Sequence, residues 1–290
     1  MDDASLATWL ALRELADHAA RSVELTRAVA ATLPQEGLVR VLDLATGAGS
    51  NLRYLVDELP SRQDWLLVDR SPTLLAALVE RTVTWARARG HEVRTHAAGL
   101  MLQSARLDCR VALIQKDLGT LDDDGIFEGR HLVTASALLD LVSPTWLRTL
   151  ASQCRRVGAS ALFAVTYDGR SSCEPADTDD ELVRRLFNEH QGRDKGLGGP
   201  AEGPGAAARA ERHFAEAGYV VRTAPSDWVL GPDERGMQRM LMDGWADAAG
   251  EVAPHLSATI AAWRARRLAH LDAGRSRIVV GHRDMAAWLS

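Results

Sequence analysis

The chain of 290 residues has three cysteines, Cys109, Cys154 and Cys173, an odd number with no C-x-x-C spacing. Neither a disulfide framework nor a zinc knuckle is suggested, and a reducing cytoplasm is the expected compartment. Positive charge is not in excess: 34 Lys and Arg stand against 39 Asp and Glu, a formal charge of -5. No global field draws phosphate backbones, so nucleic acid is a disfavoured partner. No uninterrupted apolar run approaches the length of a membrane span, so no membrane association is expected. The opening Met1-Asp2-Asp3 has neither the basic start nor the apolar stretch of a secretory signal. His91 with His96, and His282 with Asp284, complete no metal-ligand set, and no metal is expected. There is no internal repeat. Against these absences stands an ordinary globular mixture, 46% hydrophobic and 25% charged, long enough for two domains or one large α/β domain with additions.

Residues 6 to 32 place Leu6, Trp9, Leu10, Leu15, Val23, Leu25 and Val29 at helical spacing ahead of Pro34. They predict an N-terminal helical cap over 1–36. From Val39 onward, short apolar runs alternate with helical stretches: VRVLDLA, then a helix to about Leu59; WLLVDR, then a helix from about Pro72 to Arg89. VALIQKD, HLVTASA with a helix starting near Pro144, and ALFAVTY continue the rhythm, and YVVRTA and RIVVGH supply two last strands. Continuous apolar strands between helices imply a sheet covered on both faces. The expected fold is α/β, a Rossmann-like, doubly wound, mostly parallel seven-stranded sheet over 37–290. Residues 91–109 read as neither helix nor strand and are expected to be an extended excursion. Residues 189–205 hold six glycines and two prolines, the composition of a mobile loop. Residues 233–273 read as two helices inserted before the last strand.

The sharpest local signal is VRVLDLATGAGSNLRYL, residues 39 to 55: an apolar strand, a small-residue turn, then a helix. Such turns let backbone approach a ligand at a strand's carboxyl end. A dinucleotide fingerprint needs a third glycine, but Gly47 and Gly49 are followed by Leu52 at that position. An NAD(P)-dependent oxidoreductase is therefore the weaker of two enzyme readings.

These residues resemble class I S-adenosylmethionine-dependent methyltransferases of the small-molecule type, whose first motif reads approximately V-L-D-x-G-x-G-x-G. Asp43 matches the motif acid, Gly47 and Gly49 match its second and third glycines, and Ala45 stands in place of the first. Asp69, ending WLLVDRSP, matches the second-strand acid that accepts from both ribose hydroxyls, and Arg70 would flank the adenine. Asp117 and Leu118 match the adenine-side pair, while Ser136 and Leu139 would lie along the methionine side. The resemblance implies S-adenosylmethionine as cofactor and a small molecule with an oxygen or nitrogen acceptor as substrate; a non-catalytic, methyltransferase-like binding protein is the other class it allows. Local readings stay open beside these roles: Asp43 as a partner of turn amides, Asp69 with Ser71-Pro72 as a helix-capping region, and Asp117 as a strand-end turn residue.

Methyl transfer is an in-line displacement, so the protein positions the nucleophile and, where that nucleophile is protonated, removes its proton. His190 and Asp140 are the candidates for proton removal, the first for its ordinary pKa and the second for its place beyond the fourth strand. Tyr167, Asp194 and Lys195 are candidate substrate contacts. Arg13 shares a helix face with Asp17 and Arg21; this is either a surface ion-pair ladder or a wall of the cleft. Trp228, Trp245 and Trp263 read as packing for the inserted helices rather than a substrate cage.

Overall fold

Strand β1 (Val39–Leu44) carries four apolar residues because both its faces are covered: Val39 and Val41 enter one core, Leu42 and Leu44 the opposite one. Strand β2 (Arg62–Asp69) divides in the same way, with Trp65 and Leu67 on the first side and Leu66 and Val68 on the second. The computed structural model describes residues 3–96, 98–121 and 125–290. Around β1 and β2 run β5 (Leu107–Gln115), β6 (Leu132–Ser136), β7 (Ser160–Glu174), β8 (Val220–Pro225) and β10 (Arg277–Trp288), in the order β5-β2-β1-β6-β7-β10-β8. The first five are parallel neighbours, and β10 is antiparallel to both β7 and β8.

This seven-strand path is the doubly wound, mostly parallel sheet expected from the sequence. Three further strands enlarge it. Residues 91–109, expected to be an irregular excursion, instead form a hairpin: β3 (Glu92–His96) and β4 (Gly99–Ser104) pair antiparallel and extend the sheet beyond β5, with Ala97 outside the described residues. The alternation there is weak because β3 is an edge strand with mostly exposed side chains. A short β9 (Trp228–Leu230) pairs with β10.

Helices α3 (Ser50–Leu55) and α4 (Pro72–Ala88) cover one face, and α5 (Pro144–Val157) and α7 (Ala206–Glu216) the other. Their ends obey local chemistry. The Ser71 and Ser143 hydroxyls accept from the Leu74 and Trp146 amides at 3.1 and 3.2 Å, and Pro72 and Pro144 occupy the first turns. The N-terminal cap is two helices, α1 (Asp3–Ala20) and α2 (Val23–Ala30), broken where the Ser22 amide donates to Asp284. Helix α6 (Asp180–Gln191) packs with α8 (Arg235–Val252) and α9 (Ser257–Asp272), the two helices before β10, over a third core that includes Trp245 and Trp263. Among the described residues, no helix is long and apolar enough to cross a membrane.

Candidate active site

The chain runs outward from β1 through β2 to β5, then returns to β6 on the other side of β1. The strand order therefore reverses between β1 and β6, and the crevice at that reversal is where open α/β sheets take ligands. A cleft of about 450 Å³ lies there, within the size range of small-molecule sites. It is walled by the turns after β1, β2 and β6, and by α1 across the top.

Asp43, fully buried at the end of β1, accepts from the Thr46 hydroxyl at 2.6 Å and from the Asn51 amide at 2.7 Å. Burial pushes its carboxyl up to about 6 despite these donors. The turn that follows carries positive φ at Ala45 (51°), Gly47 (53°) and Gly49 (82°). Ala45 thus holds a glycine-like conformation in the position where it replaces the motif's first glycine. Asp69 accepts the Gly47 amide on one oxygen at 2.8 Å and the Ser71 amide on the other at 2.9 Å. A carboxylate offers about four acceptor sites, so each oxygen keeps capacity for a further donor in the cleft. The sequence readings of Asp69 as a ligand contact and as part of a turn are thus compatible in one geometry.

Arg13, Asp43, Ala45, Gly47, Asp69, Arg70, Leu118, Ser136, Asp140, Tyr167 and Lys195 all line this cleft. Five other candidates do not line it. Gly49 caps α3, and a side chain there would meet Leu78 at 2.7 Å, so its smallness serves packing. Leu139 is a core residue at 1% exposure, and Leu138 lines the cleft in its place. Asp117 is exposed and accepts the Gly119 amide at 2.7 Å, the strand-end turn role. Asp194 does the same for Gly196 at 2.7 Å. His190 sits in the last turn of α6 rather than on a loop, 3.1 Å from Glu251 of α8; burial and the nearby Lys195 ammonium lower its pKa. The glycine-rich segment beyond it is tied down by backbone bonds from Ser143 to Leu197 and from Glu202 to Val142, and Lys195 and Leu197 reach the cleft from it.

The ladder that runs along α1 to Arg21, just past its end, is not on the surface. Arg13, Asp17 and Arg21 are 9%, 5% and 5% exposed. Arg13 pairs with Asp17 at 2.9 Å, and Asp17 also accepts from the Trp228 indole at 3.0 Å. Glu14 on another side of the helix accepts from Arg53 of α3 and Arg81 of α4, fixing α1 over the cleft.

The far end of the cleft is shaped by irregular pairing of β7 with β10. Between Arg283↔Thr166 and Met285↔Phe163, β7 carries one extra residue, and Val165 takes φ 53° there with its amide donated to Asp284 at 2.8 Å. A second irregularity lies between Val280 and His282. Bulges of this kind re-aim side chains, and His282 and Tyr167, paired between the two, both face the cleft. His282 Nδ1 lies 3.0 Å from the Val280 carbonyl, which can only accept, so Nδ1 carries the proton and Nε2 of the neutral ring is an acceptor. Burial, then the Arg13 charge, drives the His282 pKa down to about 3.

Asp140 is 8% exposed, and among the described residues its Oδ1 has no hydrogen-bond partner. Burial raises its pKa to about 6, partly offset by its own backbone amide, Arg13, the Tyr167 amide and Lys195. His282, Trp228 and Trp245 were not legible as site residues. Trp228 and Trp245 line the cleft, whereas Trp263 packs, as expected, with its indole on Asp180 at 2.8 Å. Among the described residues, no group of three or more His, Cys, Asp or Glu side chains is placed to hold a metal.

By sequence, no protein-family model and no curated protein matches the chain. Solved structures similar to it include a SAM-dependent methyltransferase from Thiobacillus denitrificans in complex with S-adenosyl-L-homocysteine, at 15% identity and TM-score 0.45 over 98% of both chains. A SAM-dependent methyltransferase from Geobacter sulfurreducens, also in complex with S-adenosyl-L-homocysteine, is similar at 16% identity and TM-score 0.44, covering 94% of this chain and 93% of that one. The cyclopropane synthase MmaA2 from Mycobacterium tuberculosis is similar at 9% identity and TM-score 0.44, covering 91% and 82% respectively.

Proposed function

We propose that the chain is an S-adenosylmethionine-dependent methyltransferase acting on a small molecule through an oxygen or nitrogen acceptor. The observation that carries this reading is the Asp69 carboxylate at the end of β2, hydrogen-bonded to the Gly47 turn and facing a cleft at the sheet's reversal point. That donor set fits the cofactor. Asp69 retains acceptor capacity for a ribose diol, Ala45 to Gly47 bring bare backbone to the cleft, and Ser136 and Leu138 continue its wall. When bound, the cofactor supplies an electrophilic methyl group on a sulfonium. This chain's own residues orient the acceptor, exclude water beneath α1 and, at Asp140, take up a proton from the attacking atom. A carboxyl raised to about 6 is still ionised at neutral pH and is a stronger base than an ordinary aspartate. The glycine-rich segment at 189–205 serves as the cover of the acceptor end, through Lys195 and Leu197. The three buried, unpaired cysteines suit a reducing cytoplasm.

Calorimetry with S-adenosylhomocysteine tests the reading. Wild-type protein is expected to bind it, and Asp69→Ala to bind about 10- to 150-fold more weakly for the loss of one charge-assisted bond. Binding of NADH in place of the homocysteine would refute it, as would wild-type affinity in the variant.

A further inference from the structure

The acceptor end of the cleft has chemistry that the cofactor reading does not require. Six rings from six elements follow one another around it: Trp9 to Trp228 at 6.0 Å, Trp228 to His282 at 4.4 Å, His282 to Tyr167 at 6.0 Å, Tyr167 to Phe187 at 5.6 Å and Phe187 to Trp245 at 6.1 Å. All six line the same cavity. Neighbouring planes are inclined by 50° to 72°, so the wall offers ring edges and faces in turn, the arrangement that edge-to-face and offset contacts to a guest ring need.

Trp9 and Trp245 bring indole N–H donors to this wall, and four further polar groups have their roles set by the protein. The Tyr167 hydroxyl donates to Asn188 at 2.7 Å and the Trp228 indole to Asp17, so both donors are spent inside the protein. His282 has spent its proton on Val280, leaving Nε2 as an acceptor. Asp140 lines the same cavity with a carboxylate, which when ionised can only accept. Covering these acceptors with a ligand that offers no donor is costly, so a ligand that brings one is favoured. An alkene, a thioether or a fully substituted amine has none. A cationic ligand is disfavoured as well, because the Arg13 guanidinium already lies 4.9 Å from the Trp228 ring centroid and takes the cation position on that ring.

We propose that this end of the cleft takes a flat, uncharged aromatic acceptor that presents an O–H or N–H group to Asp140. The substrate class rests on the methyltransferase reading above. Phenols and arylamines share the required chemistry, and the experiment separates them. The full chain, saturated with S-adenosylhomocysteine, is titrated calorimetrically with 2-naphthol, 4-ethylaniline, 2-methoxynaphthalene, ethanolamine and oleate. One or both of the first two should bind about tenfold or more tightly than ethanolamine and oleate, and the tighter of the two identifies oxygen or nitrogen as acceptor. The methoxy compound keeps the rings but loses the donor, and should bind about tenfold more weakly than 2-naphthol. Trp245→Leu should weaken the preferred aromatic probe about tenfold with the homocysteine affinity unchanged. Phe187→Leu, at a partly buried position, supplies the same comparison if Trp245→Leu fails to fold. Absence of homocysteine binding would overturn the methyltransferase reading and this inference together. Normal homocysteine binding with ethanolamine or oleate preferred, or with aromatic binding indifferent to both ring substitutions, would overturn the inference alone.

Discussion

Replacing Asp140 with asparagine should make the protein more stable and less active, and the two effects should separate with pH. In the folded chain, burial raises this carboxyl from 3.8 to about 6. Two pKa units at roughly 1.4 kcal/mol each put the folded-state penalty near 3 kcal/mol. The sign follows from the direction of the shift. Well below 3.8 the group is protonated in both folded and unfolded chains and there is no penalty, and at pH 4 only about 0.5 kcal/mol of it has developed. The penalty grows as pH rises through the interval between the two values and is complete above about 6. Asparagine carries no charge at any of these pH values, although its amide lacks an assured partner and gives back about 1 kcal/mol. We therefore expect Asp140→Asn to exceed wild type by about 2 kcal/mol in urea unfolding at pH 8, and to match or fall slightly below it at pH 4. Asp43 titrates in the same interval but is present in both proteins, so it cancels in the difference. With an acceptor in hand, single-turnover rates at pH 8 should fall about 100- to 10,000-fold, the ordinary cost of losing a general base. A variant less stable than wild type at pH 8, or a stability difference that does not change between pH 4 and pH 8, would refute the claim that Asp140 is held as a carboxylate whose burial outweighs its partners. An unchanged saturated rate would leave catalysis to positioning alone.

Gly47→Val should abolish S-adenosylhomocysteine binding in calorimetry more completely than Asp69→Ala does. Gly47 sits at φ 53° and a Cβ there would lie 3.1 Å from Leu10, so a branched side chain both strains the turn and blocks the cleft; tight binding by a folded variant would remove the turn from the site. Ala45→Gly should leave homocysteine binding intact and raise stability by up to about 1 kcal/mol in thermal unfolding, because Ala45 holds φ 51° that glycine adopts without strain; a lower melting temperature would refute this.

How much of the site could be read from the chain depended on whether the physics was local. Asp43, Gly47 and Asp69 were legible because a strand, its turn and the next strand's end are short-range units, and their hydrogen bonds to Thr46, Asn51, Gly47 and Ser71 close over a few residues or between adjacent strands. The same locality misled at Asp117 and Asp194, where an aspartate two residues before a glycine amide simply closes its own turn. His190 was judged by intrinsic pKa and by a loop composition that begins a few residues later, but α6 carries it onto Glu251. The hairpin of β3 and β4 escaped because an exposed edge strand needs no apolar alternation. His282 and Trp228 could not be found by pattern at all, since what brings them to the cleft is the register of β10 against β7 and β9, a tertiary fact.

Backbone strain and raised carboxyls gather where the ligand is expected. Among the described residues, three other than glycine hold positive φ, Ala45, Ala137 and Val165, and each lines the cleft at the sheet's carboxyl edge. Such backbone costs of order 1 to 3 kcal/mol per residue and persists only where neighbours over-determine it. The neighbours are identifiable: the Ala137 amide donates to the Ala164 carbonyl at 2.9 Å, and the Val165 amide to Asp284, whose other oxygen anchors the start of α2. Both buried carboxyls raised to about 6, Asp43 and Asp140, face the same cleft. Away from this edge, β1 and β2 are packed on both faces by ordinary aliphatic cores. A sequence selected for stability alone would place glycine at 45 and an uncharged residue at 140. The cleft is therefore the part of the molecule whose residues are best explained by what they do to a ligand, and Asp284, which touches none, is best explained as the group that keeps the strained β7 edge and the covering helices in register.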